Sequence, residues 1–359
     1  MLATVGMTVA QDIWSCGEHN NGSKTGVGIY KNGERVVTLQ NADYNFTAYD
    51  ITRWNEHTYL AYRNDTYGHA YIYDYENSSA KDLGADTYAY KLFGRTNLYA
   101  AGYRKNGSVY NATIWKLNAG STPTVLFTWD NGSYNTYAYC GLIGPDTYNY
   151  AGGYQYTGSD SWVGVIWKES TGVLYTFPQE KSYVLDMAYY DGSVYSLVAT
   201  NASSTKWVYC DNDLLYTITA ASSSIRDLHI ESGDIYVCGY EDNQIKVWKN
   251  GEAYWTSTVG SSHIHGVWAN SEGVYFCGKI GSNGTIWKDG TAIHQPSGCT
   301  VMRKLYVEDE CANSDVRSLP FTDGFENGST SWPCWTKLDV DGDNGVNVSY
   351  WDRVGKRLY

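Results

Sequence analysis

One short phrase recurs seven times along this chain, and that repeat limits the fold more than any other feature. An apolar segment of the form Y-x-x-G appears at Trp14 (IWSCGE), Tyr59 (TYLAYR), Tyr99 (LYAAGY), Tyr150 (NYAGGY), Tyr195 (VYSLVA), Tyr236 (IYVCGY) and Tyr275 (VYFCGK). A second segment follows each time, from GIYKNG at Tyr30 through KVWKNG at Trp248 to TIWKDG at Trp287. Successive anchors are 45, 40, 51, 45, 41 and 39 residues apart. A period of this length, built from short strands, is that of the blades of a β-propeller.

The unit beginning at residue 225 shows the plan of one blade. SIRDLHIES, GDIYVCGYE, QIKVWKNG and EAYWTST each read as a strand, and Asn250-Gly251 between the last two is a type I′ hairpin dipeptide. Asn32-Gly33 and Asp289-Gly290 repeat that turn, with Asp211-Asn212-Asp213 a looser form. Four strands per unit and no helical period predict a four-stranded antiparallel blade. First strands are legible as TAYDITRW, YAYKLF, YAYCGLI, YVLDMAYY, IRDLHI and IHGVWA, and ATVGMTVA at Ala3 can fill that role in the first blade. CTVMRKLYVEDE from Cys299 reads as an eighth first strand, which either closes the ring or opens a further blade. The expected fold is therefore all-β: a seven-bladed antiparallel β-propeller over 1–298 (eight blades the alternative), a closing strand and linker over 299–318, and an incomplete β-sandwich module over 319–359.

Composition narrows the function. The 359 residues include 35 Tyr and 14 Trp but only 6 Pro, which suits strands presenting flat side chains between stacked sheets. A net charge of −12 argues against binding nucleic acid or anionic membrane through a basic patch. No stretch approaches the roughly 20 apolar residues of a membrane-spanning helix. LATVGMTV at residues 2–9 lacks the basic flank of a signal peptide, so the chain reads as cytosolic or as an exported protein whose leader is lost. Cys16, Cys238 and Cys277 hold equivalent positions and are expected to pack as small hydrophobes. Cys299, Cys311 and Cys334 fall outside the regular blades, where a disulfide is easier to accommodate.

The aromatic residues separate into two classes. Tyr99, Trp115, Trp167, Tyr236, Trp248 and Trp287 are in register with the repeat and are expected between blades. Tyr103, Tyr110, Tyr154, Tyr156 and Trp162 lie in or beside the longest inserts, RKNGSVYNA and QYTGSDSWVG, in blades three and four. Flat aromatic faces stack on sugar C–H surfaces or anchor a protein partner. Tyr103, Arg104, Tyr154, Tyr156 and Trp162 are thus the expected ligand-binding residues, with the inserts sharing a face with the fourth-to-first-strand connections. No HExxH, GxSxG or phosphate-cradling loop is present. His263 and His265, two apart on a strand, are a weak metal pair. Asp186 and Asp227 are the acids that a catalytic channel would use.

After residue 311 the text changes. LPFTDGFENG, WPCWTKLDVDGDN and SYW occur in the order that resembles the opening of cleaved-adhesin (choice-of-anchor J, MAM-like) β-sandwich domains, with Phe325-Glu326, Trp335, Asp339, Asp341 and Asp343 matching over about 40 residues. Such a domain is longer than the segment here, so this copy reads as cut short. The resemblance implies export, cell-surface attachment and a calcium site; three carboxylates within five residues repel unless solvated or neutralised, and Ca²⁺ takes such hard oxygens. A solvated acidic turn is the alternative for Asp339, Asp341 and Asp343. The propeller phrases VWKNG, IWKDG and YVCGY resemble the IWKNG and YVAGY phrases of repeat propellers of Bacteroidetes-type bacteria, which implies fold and an exported habitat. The expectation is a secreted or cell-surface binding protein, a monomer, that recognises a glycan or host protein through propeller loops. The alternatives are a polysaccharide-processing enzyme at the channel mouth and a display scaffold that binds nothing.

Overall fold

In a computed structural model of the protein, the described residues are 11–117, 122–201, 203–219, 224–241, 244–257, 262–308, 335–338, 350–353 and 356–357. They form seven four-stranded antiparallel sheets, without a helix among them. Blade 1 uses Ile13–Asn21, Lys24–Lys31 and Glu34–Leu39, and its innermost strand is Cys299–Val307 from the far end of the chain. That segment therefore closes the ring, and no eighth blade forms among the described residues. Residues 3–10, the other contender for this place, lie outside the described residues. Blades 2 to 7 run from Phe46–Trp54 as the innermost strand of blade 2 to Thr291–His294 as the outermost of blade 7. Separately, Trp335–Leu338, Tyr350–Arg353 and Lys356–Arg357 pair as a small antiparallel sheet.

The outer turns follow from the K-N-G phrase. Asn32, Asp211, Asn250 and Asp289 have φ of 51, 53, 52 and 48°, a region that Asn and Asp enter more readily than most residues. Each side chain then accepts the backbone N–H that opens the second strand: Ile13 to Asn32 at 2.8 Å, Val194 to Asp211 at 3.0 Å, Ile235 to Asn250 at 2.8 Å and Val274 to Asp289 at 2.8 Å. The repeat thus encodes a turn and the hydrogen bond that pins the neighbouring strand.

Period-two alternation sends neighbouring residues of one strand to opposite blades. Trp115 packs with Ala61 and Ile72 of blade 2, whereas Ile114 packs with Val165 and Trp167 of blade 4. Trp248 and Trp287 likewise face the preceding blade, beside Val208 and Val247 respectively. These register aromatics are core residues, as expected; Trp115 and Trp167 are each 1% exposed. Cys16, Cys238 and Cys277 are buried free thiols. Cys299 corrects its expectation: it sits in the closing strand, buried and unpaired, while Cys311 and Cys334 lie outside the described residues.

The third constant of the repeat is a β-bulge in the innermost strand. The register slips between Ala48 and Asp50, Ala89 and Lys91, Ala138 and Cys140, Val184 and Asp186, Ile225 and Asp227, and Ile264 and Gly266. The bulge explains the glycine of Y-x-x-G. A Cβ on Gly102, Gly153, Gly239 or Gly278 would lie 1.8, 1.8, 2.3 or 1.9 Å from the carbonyl oxygen of Tyr88, Tyr137, Ser224 or His263. Blades 2 and 5 keep the bulge with Tyr62 and Val198 in the glycine's place.

Candidate functional site

Each bulge turns two consecutive side chains toward the centre of the ring, and these two positions build the site. The residues just after the bulge form its floor: Asp50, Lys91, Cys140, Asp186, Asp227 and Gly266, with Lys304 at the matching place of the closing strand (M-R-K-L beside I-R-D-L). The bulged residues form the wall: Tyr49, Tyr90, Tyr139 and Leu185 in blades 2 to 5, then Arg226 and His265 in blades 6 and 7, with Arg303 just before Lys304 in the closing strand of blade 1. All seven wall residues line one cavity of about 490 Å³ at the mouth of the channel, together with Tyr154, Trp162, Tyr183 and Asn201.

The floor is a buried ion network. Lys91 Nζ donates to both oxygens of Asp186, at 3.0 and 3.3 Å, and Lys304 donates to Asp227 and lies 3.8 Å from Asp186. The acids also tie blade to blade. Asp50 accepts the N–H of Leu92 at 2.7 Å, Asp186 that of Leu228 at 3.3 Å and Asp227 that of Val267 at 2.8 Å, in each case from the innermost strand of the next blade. Burial raises the pKa of Asp186, but Lys91 and Lys304 outweigh it and hold the carboxyl well below the usual range. Burial and the neighbouring Asp186 push Asp227 the other way, above it. Burial also raises Asp50 despite Lys91 and Lys304. Beneath the ring, burial lowers His229 to about 4, and its Nε2 lies 2.9 Å from the Ala269 carbonyl.

The wall has two characters. One sector is a continuous aromatic surface: Tyr49 to Tyr90 at 4.8 Å, Tyr90 to Tyr139 at 5.3 Å, Tyr139 to Tyr154 at 5.7 Å and Tyr154 to Trp162 at 6.1 Å between ring centroids. Burial raises the phenol of Tyr139 to about 12, so this rim presents protonated hydroxyls at neutral pH. The other sector is basic, and its Arg226 is exposed.

Of the expected ligand residues, Tyr154 and Trp162 line the cavity, and Tyr156 backs Trp162 at 5.4 Å. Tyr103 is 9% exposed, stacked on Tyr88 at 4.5 Å with its hydroxyl 3.3 Å from that of Tyr90, so it supports the wall from behind. Arg104 pairs in register with Asn111 and Thr87 inside the blade sheet and is not among the cavity residues. The insert after Tyr103 lengthens a hairpin, Leu98–Asn106 with Val109–Leu117, rather than forming a loop. His263 and His265 are divided by the bulge: His265 joins the wall, and His263 packs on Tyr240 at 5.3 Å. Asp186 and Asp227 do lie in the channel, where Lys304 contacts both. Asp339, Asp341 and Asp343 lie outside the described residues. The basic wall residues escaped the sequence reading; their signal is the residue preceding the floor position in each first strand, as in IRDL, IHGV and MRKL.

No family model matches the chain, and no curated protein matches it. Among solved structures, the chain is similar to the β-propeller domain of Cps50 (Swd1) from Myceliophteria thermophila, at 9% identity and a TM-score of 0.49, covering 78% of this chain and 98% of that one. A puromycin-hydrolysing peptidase of Mycobacterium tuberculosis gives 10% identity and 0.49 over 79% of this chain and 53% of that one. A prolyl endopeptidase gives 12% and 0.48 over 82% of this chain and 50% of that one, so the match spans about half of the endopeptidase. Identity at this level carries no information on activity.

Proposed function

We propose that the protein is a bacterial secreted or cell-surface binding protein that takes a glycan into the channel mouth. The observation that carries this reading is the aromatic wall. Tyr49, Tyr90, Tyr139, Tyr154 and Trp162 present ring faces and phenol hydroxyls around a cavity the size of a few sugar units. Sugars offer the matching chemistry, with C–H faces that stack and hydroxyls that exchange hydrogen bonds. The sheets behind the wall are rigid, so little ordering entropy opposes binding. The adhesin-like tail is what supports the cell-surface setting and a calcium site at Asp339, Asp341 and Asp343.

A glycan array probed with the labelled protein tests the reading. Enrichment on a related set of glycans, competed by the free sugar, is the expected result; a uniform background overturns it. The channel acids favour a second reading, a polysaccharide-processing enzyme. It predicts reducing ends released from a bound polymer, and loss of that release in Asp227→Asn.

A further inference from the structure

We infer that the glycan carries a carboxylate, as a uronic acid unit does, and that Arg226 is its anchor. This rests on the glycan reading and specifies the chemistry of the same site.

Charge around the wall is arranged unevenly. The cations of the floor are committed: Lys91 to Asp186, and Lys304 to Asp227 with Asp186 near. Arg226 differs, being exposed, lining the cavity and having no hydrogen bond or ion pair among the described residues. Arg303, on the closing strand, gives its Nε to Glu18 at 2.8 Å, which orients the side chain while only one of its donors is used. Between these two in the order of blades stands His265. Burial, with the nearby Arg303, Arg226, His263 and Lys279 adding to it, holds the imidazole well below its usual pKa, hence neutral. The uncommitted positive charge of this arc therefore rests on Arg226, in a protein whose net charge is −12.

That arc faces ligand space. A planar guanidinium with free N–H groups matches a carboxylate in two-point fashion, and partial enclosure reduces screening by solvent and salt. The aromatic sector occupies the other part of the same wall. A ligand that stacks a sugar ring on Tyr154 or Trp162 and also turns a charged group toward Arg226 uses both sectors. Neutral sugars use only one.

The test is titration calorimetry with oligomers of galacturonate and of glucuronate, each beside its carboxyl-reduced counterpart, at 0.15 M salt. At least one acidic oligomer is expected to bind tenfold or more tightly than its reduced form. Arg226→Gln should erase that preference, so that acidic and reduced oligomers bind alike, and Arg226→Lys should restore part of it. Equal affinity for the acidic and reduced members, or a preference that survives in Arg226→Gln, overturns the inference while leaving the glycan reading standing. Tighter binding of sulfated oligomers than of any uronate assigns the arc to sulfate and overturns the carboxylate. No binding by any oligosaccharide, acidic, sulfated or neutral, on the array or in solution overturns both. Arg226 is exposed on a bulge, so its variants are expected to unfold with the wild type, which a thermal melt checks.

Discussion

Asp186 in blade 5 and Lys91 in blade 3 are 95 residues apart in sequence and meet across the channel at 3.0 Å. Neither belongs to the repeating phrase; both stand one residue after a bulge, which turns them inward. The same carboxylate accepts N–H groups from Met187 at 2.9 Å and Leu228 at 3.3 Å, so it joins non-adjacent blades at a point the sheets themselves do not reach. Removing one member of such a pair leaves a charge buried. Asp186→Asn is expected to lower the unfolding free energy by about 3 kcal/mol, read from urea denaturation. Pairing Asp186→Leu with Lys91→Met should restore much of the loss; a single variant within 0.5 kcal/mol of wild type would show that the network carries no stability.

The bulge predicts which glycines can be replaced. Gly102→Ala places a methyl 1.8 Å from the Tyr88 carbonyl, and about 3 kcal/mol of stability should go. Gly158, with nothing within 4 Å of its notional Cβ, should accept alanine within about 0.5 kcal/mol. Denaturation midpoints of the two variants decide it, and equal effects would contradict the packing described.

The turn asparagines offer a finer comparison. Asn250→Gly keeps the positive φ but loses the bond to Ile235, whereas Asn250→Ala loses both. The expected order of stability is wild type, then glycine, then alanine, with alanine about 1–2 kcal/mol below wild type. Alanine at or above glycine would show that the backbone conformation exerts no strain.

Half-buried His229 makes stability depend on pH in a definite direction. Its pKa falls from 6.5 to about 4 on folding, so the unfolded chain holds more protons between those values. Its contribution is therefore full above pH 6.5 and is lost as pH falls toward 4, by roughly 3 kcal/mol in total. Asp227 and Asp50, raised by burial, act in the opposite sense as pH rises. The histidine is isolated as the difference between wild type and His229→Gln. That difference should shrink from pH 7 to pH 4.5; a constant difference contradicts the assignment.

The blades were legible because each repeat carries its own instructions: alternation for strands, Asn-Gly for turns, an aromatic for the blade interface. The closing strand was ambiguous because residues 3–10 and 299–308 read alike as strands, and local pattern does not say which one pairs with Ile13–Asn21. The bulge was hidden in plain view, since the glycine of Y-x-x-G reads as flexibility until the carbonyl that presses on it is located. That omission explains the site. Counting by twos through IRDL or IHGV places Arg226 and His265 on the wrong face, and only the slipped register turns them into the cavity. Tyr154 and Trp162 line the cavity because the strands their insert joins flank the channel mouth. Tyr103 is packed within the blade because its insert extends a hairpin.

The most direct test of the account is the affinity of the best array glycan for wild type and for Tyr154→Ala/Trp162→Ala, measured by calorimetry on proteins with matching thermal melts. Aromatic stacking at the channel mouth predicts a loss of at least thirtyfold in affinity. Unchanged affinity in the folded double variant would place the glycan elsewhere and contradict the site.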